Sequence, residues 1–242
     1  MQTKTISHFL PVSTLPIEEC DRHYREVHTR FARRFMRDMD DVVSYHVNRA
    51  TAEFDLVGDW RQRPRAFRFI VIRTRSGPLR MAPELAAVLA EDHRGFLREL
   101  RNFPVEEQVV VDELRGQTAL VKYLFEFDRP PGTHPAEARR MIDGTVAALA
   151  AEAGEALGLR LLLANHVLGE REAAPIDEPG QRALPTLLPE TCKQAFLEFW
   201  FDQQEWAEEW FRRPEVSTAL RDPAWALARG YRVDEECGLD RR

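Results

Sequence analysis

The chain has 242 residues, 44% of them hydrophobic and 31% charged, with a formal net charge of −6; this is enough for one large domain or two small ones around a sizeable core. The acidic balance argues against a nucleic-acid partner, and no apolar run is long enough to span a bilayer, so neither nucleic acid nor membrane is expected as a partner. Three widely spaced cysteines, Cys20, Cys192 and Cys237, fit neither a disulfide framework nor a zinc site; with an N-terminal MQTKTISHFLPV that lacks a signal-peptide core, they suggest a reducing cytoplasm.

Thr5 to Val12 (TISHFLPV) alternates and reads as a first strand. Pro16 then opens a helix whose first turn carries Glu18, Glu19 and Asp21 and whose far end carries Arg30, Arg33, Arg34 and Arg37, the charge order that a helix dipole favours. Cys20, Tyr24, Val27, Phe31 and Phe35 form its apolar stripe. Strands follow at Val42 to Asn48 and Ala66 to Thr74, then a helix at Pro83 to Leu100 and a strand at Val109 to Leu114. The order βαββαβ then recurs: a strand at Ala119 to Phe127, an Ala-rich helix at His134 to Leu157, strands at Arg160 to Leu168 and Lys193 to Phe201, a short helix at Gln203 to Phe211 and a strand at Gly230 to Glu235.

Two local matches suggest a duplication: YHVNR at Tyr45 resembles NHVLG at Asn165, which sets His46 against His166, and VVDELRG resembles RVDEECG, which sets Asp112 against Asp234. A βαββαβ unit is ferredoxin-like, with helices on one face of an antiparallel sheet and an apolar opposite face that needs cover. The expected fold is therefore α+β, two tandem ferredoxin-like units (1–116 and 117–242) whose sheets pack as a pseudo-two-fold α/β barrel. Internal duplication favours a monomer, whereas open sheet edges would favour a homodimer. The Pro-rich stretch 171–191 falls outside the repeat and reads as a long loop, either a lid or a surface excursion.

No GxGxxG, Walker loop, HExxH, CxxC pair or GxSxG elbow is present, and no metal is expected. The strongest candidates are Tyr24 and His28, four apart on one helix face, where the imidazole could move a proton and the phenol could hold a substrate oxygen. The alternative is a satisfied core histidine beside a core tyrosine. Weaker candidates for contact with a substrate are His8, Tyr45, His46 and Arg68. Tyr45 and His46 point to opposite faces of their strand, and the sequence leaves open which of them faces the helices. Arg68 lies within an apolar strand; it either meets a substrate carboxylate or phenolate, or faces solvent at an edge. Asp92 and His93 read as surface or helix-end residues. The second half has no counterpart of the Tyr24–His28 pair.

FLPVSTLPIEECDRHYREVHTRFARRF followed by YHVNRA, with EDHRGFL and VVVDE further on, resembles the EthD-like branch of the dimeric α/β-barrel superfamily over roughly residues 3 to 115. The resemblance implies a pocket between sheet and helices and an enzyme acting on small aromatic or polyketide-like molecules. Its chemistry would be histidine acid–base catalysis on an activated phenol or C–H. On this reading His28 is the acid–base group and Tyr24 positions the substrate. The expected reaction is cofactor-independent oxidation of the monooxygenase type, as in secondary metabolism, with decarboxylation, isomerisation or cyclisation as the alternative. Some members of the superfamily bind haem, so a haem-dependent enzyme is a further alternative, as is a non-catalytic ligand-binding protein.

Overall fold

Each half of the chain folds as one βαββαβ unit in the computed structural model, which describes residues 2–58, 65–77, 79, 81–116, 119–172 and 192–241. The first half runs β1 (Thr3–Pro11), α1 (Ile17–His23), a π-helical turn (Tyr24–His28), α2 (Thr29–Asp38), β2 (Val42–Val57), β3 (Arg68–Thr74), α3 (Pro83–His93) and β4 (Leu97–Asp112). The second runs β5 (Val121–Asp128), α4 (Pro135–Glu152), β6 (Leu159–Val167), a short β7 (Arg171–Glu172), β8 (Lys193–Phe201), α5 (Gln204–Arg212), α6 (Pro214–Leu220) and β9 (Leu227–Asp240). Within the halves the strand orders are β4-β1-β3-β2 and β9-β5-β8-β6, all antiparallel. β2 pairs with β9 and β4 with β6, which closes an α/β barrel of eight strands, and β7 adds a short pairing to β4. Closure pairs the outer strands of the two halves with each other, the edges on which the homodimer alternative rested.

The closing strands are longer than their sequence pattern predicts, because each serves both halves. β4 pairs with β1 through Leu97–Val105 and with β6 through Val105–Asp112. The helix expected to reach Leu100 stops at His93: Gly95 N–H turns back to the Asp92 carbonyl (3.0 Å) and Phe96 accepts from Val12 N–H (3.1 Å), which leads the chain into β4. Of the Pro-rich stretch, residues 173–191, where either a lid or a surface excursion was expected, lie outside the described residues.

Strand alternation sorts side chains into three packed layers. Phe9, Tyr45, Val47, Phe67, Ile70 and Ile72 face α1 and α2 on the outside of the wall. Phe125, Phe127, Leu162, Leu197 and Phe199 do the same under α4, α5 and α6. Ile6, Phe69, Phe103, Leu124, Phe196 and Tyr231 point inward.

Charges share the barrel interior. Lys4 meets Glu107 and Glu198, each at 2.5 Å, and Lys122 meets Glu198 at 2.8 Å and Glu235 at 2.6 Å. The ladder respects the pseudo-two-fold. Asn48 and Asn165 each donate a side-chain amide to the carbonyl of their cross-strand partner, Phe69 and Phe196, at 3.2 and 3.3 Å. Glu235 and Glu107 lie opposite these two asparagines. Asn48 thus occupies the place of Asn165, and Glu107 that of Glu235. The sequence matches His46–His166 and Asp112–Asp234 are out of register with this arrangement: His46 points inward beside Glu235 (3.7 Å), whereas His166 faces α4 beside Asp143 (3.8 Å).

Candidate active site

The site is built on the π-helical turn. There the Tyr24 carbonyl accepts from Thr29, five residues on, through the backbone N–H and also through the Thr29 hydroxyl (2.8 Å). A turn widened by one residue sets residue i+4 almost over residue i, and the Tyr24 and His28 rings lie 4.8 Å apart, centroid to centroid. The widening also brings His23 and His28 to the same side. In a regular α-helix, residues five apart diverge by about 140°. Here both rings reach one carboxylate: His28 Nδ1 lies 2.7 Å from Asp92 Oδ2 and His23 Nε2 lies 2.8 Å from Asp92 Oδ1. Asp92 is thus a central member of the site, not the surface residue its sequence context suggests.

The walls are aromatic. Phe31, Phe96 and Phe9 surround the His28 ring at 5.2, 5.4 and 6.1 Å, and the His93 ring stands 4.9 Å away. His93, expected near the surface, is buried, and its Nε2 has no hydrogen-bond partner. Burial and the neighbouring His28 push its pKa down to about 4. Burial also lowers the His28 pKa, against the opposing pull of Asp92, so the ring is neutral at pH 7. Burial pushes the Asp92 carboxyl up, yet the hydrogen bonds from His28 and His23 outweigh it and hold the group below its ordinary range. An ionised Asp92 accepting from Nδ1–H leaves His28 Nε2 as the ring's free base.

Beside the imidazole, Tyr24 and Tyr45 share a hydroxyl–hydroxyl bond of 3.0 Å. Tyr45 therefore faces the helices, which answers the question of its register. Gly238 of β9 makes room for it, since a Cβ there would lie 2.5 Å from the Tyr45 ring. Arg68 is also buried and on this side, not at a solvent edge. Its guanidinium lies 4.1 Å over the Tyr24 ring and bonds Asp21 at 2.5 Å, while its buried Nε has no partner. Burial raises both phenol pKa values, most strongly that of Tyr24.

Tyr24, His28, Tyr45 and Arg68 thus come together as one constellation, joined by His23, Asp92 and His93. His8 and His46 do not join it, because they point into the barrel. His8 is boxed by Phe69, Phe103 and Phe196 at 4.9 to 5.2 Å, with Glu126 3.3 Å from its Nε2. Among the described residues no group of three or more His, Cys, Asp or Glu side chains is placed to hold a metal ion, and no helix is long and apolar enough to cross a membrane.

No protein-family model and no curated protein matches the chain. Solved structures do. An anthrone oxidase-like protein superposes with a TM-score of 0.57 at 13% identity, covering 100% of this chain and 94% of its own. A proposed monooxygenase from Lactobacillus acidophilus NCFM gives 0.51 at 10% identity, covering 98% and 95%. At these identities the likeness shows the fold alone, an antiparallel α/β barrel.

The expectation that the chain uses no cofactor is corrected. The matched structures include a haem-binding protein from Thermus thermophilus, at a TM-score of 0.39 and 9% identity over 97% of this chain and 92% of that one. The histidines of this site do not fit haem as they stand. An axial imidazole has to face a slot wide enough for a porphyrin, but Tyr24, His93, Phe31 and Phe96 all lie within 5.4 Å of the His28 ring. His8 is closed in by three phenylalanines.

Proposed function

We propose that this chain is an oxidation-type enzyme of EthD-like character that acts on a hydrophobic aromatic or polyketide-like small molecule. The observation that carries the reading is the His28–Asp92 bond beside the Tyr24–Tyr45 pair, inside an aromatic box. Residues 1–116 are the unit that bears the site, and 117–242 are the second unit, whose sequence has no counterpart of the Tyr24–His28 pair.

The chemistry follows from the placement of groups. His28 Nε2 removes a proton from an activated C–H or phenol, and the Asp92 carboxylate stabilises the imidazolium that forms. Tyr24, Tyr45 and Arg68 supply donors for the oxygen on which the negative charge collects. For an anthrone, the carbanion adds to O₂ with formation of a C–O bond, and the His28 imidazolium returns its proton to the peroxide anion; the hydroperoxide then loses water to leave the quinone, so one O₂ is consumed and one water released. Decarboxylation, isomerisation and cyclisation share the first proton transfer.

A second reading treats the constellation as a structural polar cluster in a non-catalytic ligand-binding protein. It is favoured by His28 being only 3% exposed and already paired. One experiment separates the two. Dithranol, a hydroxylated anthrone, is incubated with the protein in air and under argon, and quinone formation is compared with the protein-free rate. Acceleration that needs air and is lost in His28→Ala supports the enzyme. No acceleration, or acceleration that His28→Ala leaves intact, removes the role of His28.

A further inference from the structure

We infer that Asp21 is an internal competitor for the substrate's place on Arg68, and that the site selects an aromatic ligand with an ionised carboxylate or phenolate, whose charged oxygen displaces Asp21 towards water. The inference rests on the pocket assigned above and adds the charge of the substrate and the residue that selects for it.

The Arg68 side chain is 3% exposed, and a buried guanidinium needs an anion. Asp21 meets that need only in part. Nε and Nη2 of an arginine form a fork that a carboxylate can take with both oxygens. Asp21 reaches Nη2 alone, through Oδ1 at 2.5 Å; its Oδ2 turns to Arg25, four residues on, at 3.1 Å, and the buried Nε of Arg68 has no partner. The guanidinium is held in place over the Tyr24 ring at 4.1 Å, so the fork keeps its orientation when its acceptor changes.

Asp21 also stands between Arg68 and water. The rings against which Arg68 packs, Tyr24 and Phe67, are buried, whereas the Asp21 side chain is 17% exposed. It is carried by α1, seven residues long, in which Cys20 alone is buried. Residues 13–19 are exposed, and the π-turn interrupts the helix at its other end, so α1 is bounded on both sides by irregular backbone. When Asp21 turns outward its partner Arg25 lies on the same helix face, and water solvates both. Arg68 stays behind on β3 as a buried charge. An incoming anion relieves that state and a neutral molecule does not, which makes the exchange selective for charge.

The test reads binding. 1-Hydroxy-2-naphthoate, ionised at pH 7, and its neutral methyl ester are titrated into the protein by isothermal calorimetry. Asp21→Asn keeps the size of the side chain and removes its charge. The expected result is naphthoate bound about tenfold more tightly by Asp21→Asn than by wild type, because the form in which Arg68 is already occupied no longer lowers the apparent affinity, with the ester changed by no more than about twofold. Equal naphthoate affinities in the two proteins, an equal gain for the ester, or no naphthoate binding by either protein would overturn the inference. If Asp21→Asn does not fold, the Arg68 ¹⁵Nε–H resonance of the wild type is followed in the same two titrations. It should move with naphthoate and not with the ester, and a resonance that naphthoate leaves in place overturns the inference. Binding is read without turnover. A protein inactive on dithranol that still shows the naphthoate gain loses the proposed reaction and keeps Asp21 as competitor; the opposite pair of results removes Asp21 and keeps His28.

Discussion

His28 and Asp92, 64 positions apart in the sequence, share a 2.7 Å hydrogen bond that sets the tautomer of the buried imidazole. The bond joins the π-turn to the last turn of α3, so the base depends on two elements that meet only in the folded barrel.

Asp92→Asn tests that dependence. An amide can accept from only one of the two imidazoles, and its N–H₂ turns the other contact into donor facing donor unless that ring changes tautomer. We expect stability to fall by about 1–3 kcal/mol and turnover of an anthrone probe to fall by roughly 10²–10⁴-fold. Imidazole ¹⁵N shifts report the tautomer directly. A variant with wild-type His28 shifts and wild-type turnover would show that the carboxylate is dispensable.

Much of this was legible in the sequence, and the limits are physical. The alternation of TISHFLPV and AFRFIVIRT marks them as strands, and the recurring βαββαβ order leads from the strands to the barrel. Tyr24 and His28 stand out because a tyrosine and a histidine share an otherwise apolar stripe. Asp92 and His93 do not, because the dipeptide looks like any helix end and its partners come from another helix. The π-turn leaves no periodic trace, since five residues are too few to carry one. LREL reads as helix because a Leu97–Leu100 spacing of three suits the helical period; the turn at Gly95 starts a strand instead, and the register shift between Leu97 and Glu99 in its pairing with β1 keeps both leucines on one face.

The pH dependence of stability follows from the two buried rings. The folded-state pKa of His93 is about 4 and that of His28 lies below its ordinary 6.5. As pH falls below about 6.5 the unfolded chain therefore binds protons that the folded chain does not, and stability declines from there towards pH 4. His93 alone accounts for about 3 kcal/mol across that window. Asp92 acts lower: its folded pKa lies below the ordinary 3.8, so its contribution is intact above that value and is lost as pH falls through the folded one. Urea midpoints at pH 7, 5 and 4 measure the decline. His93→Phe should flatten it, and an unchanged slope in that variant would locate the proton uptake elsewhere.

The Tyr24–Tyr45 pair should be strongly non-additive. Either single change to Phe strands a buried hydroxyl, at a cost of about 1–3 kcal/mol. The double change removes both hydroxyls, so its cost should be well below the sum. Chemical denaturation of the four proteins closes the cycle; additive costs would mean that the 3.0 Å contact contributes nothing. Gly238→Ala offers a second approach to the same pair, since the new methyl would meet the Tyr45 ring and displace its hydroxyl.

Glu198 tests the barrel interior. It is 1% exposed and shared by Lys4 and Lys122, and it also accepts from Asn165 Nδ2 at 3.1 Å. Burial opposes its charge, but the two ammonium groups outweigh it and hold the carboxyl well below the usual range. Glu198→Gln leaves two buried cations facing an amide, with Glu107 and Glu235 on the outer sides of the ladder still paired. The expected loss is about 3–5 kcal/mol, as for breaking a buried pair by removing one partner, and 1 M salt should not restore it because the charges are shielded from ions. The exposed pair Arg49–Asp234 is the control, where Asp234→Asn should cost no more than about 1 kcal/mol. If Glu198→Gln costs no more than this control, water reaches the ladder, and the strands that carry Lys4, Lys122 and Glu198 are held in register by their apolar neighbours alone.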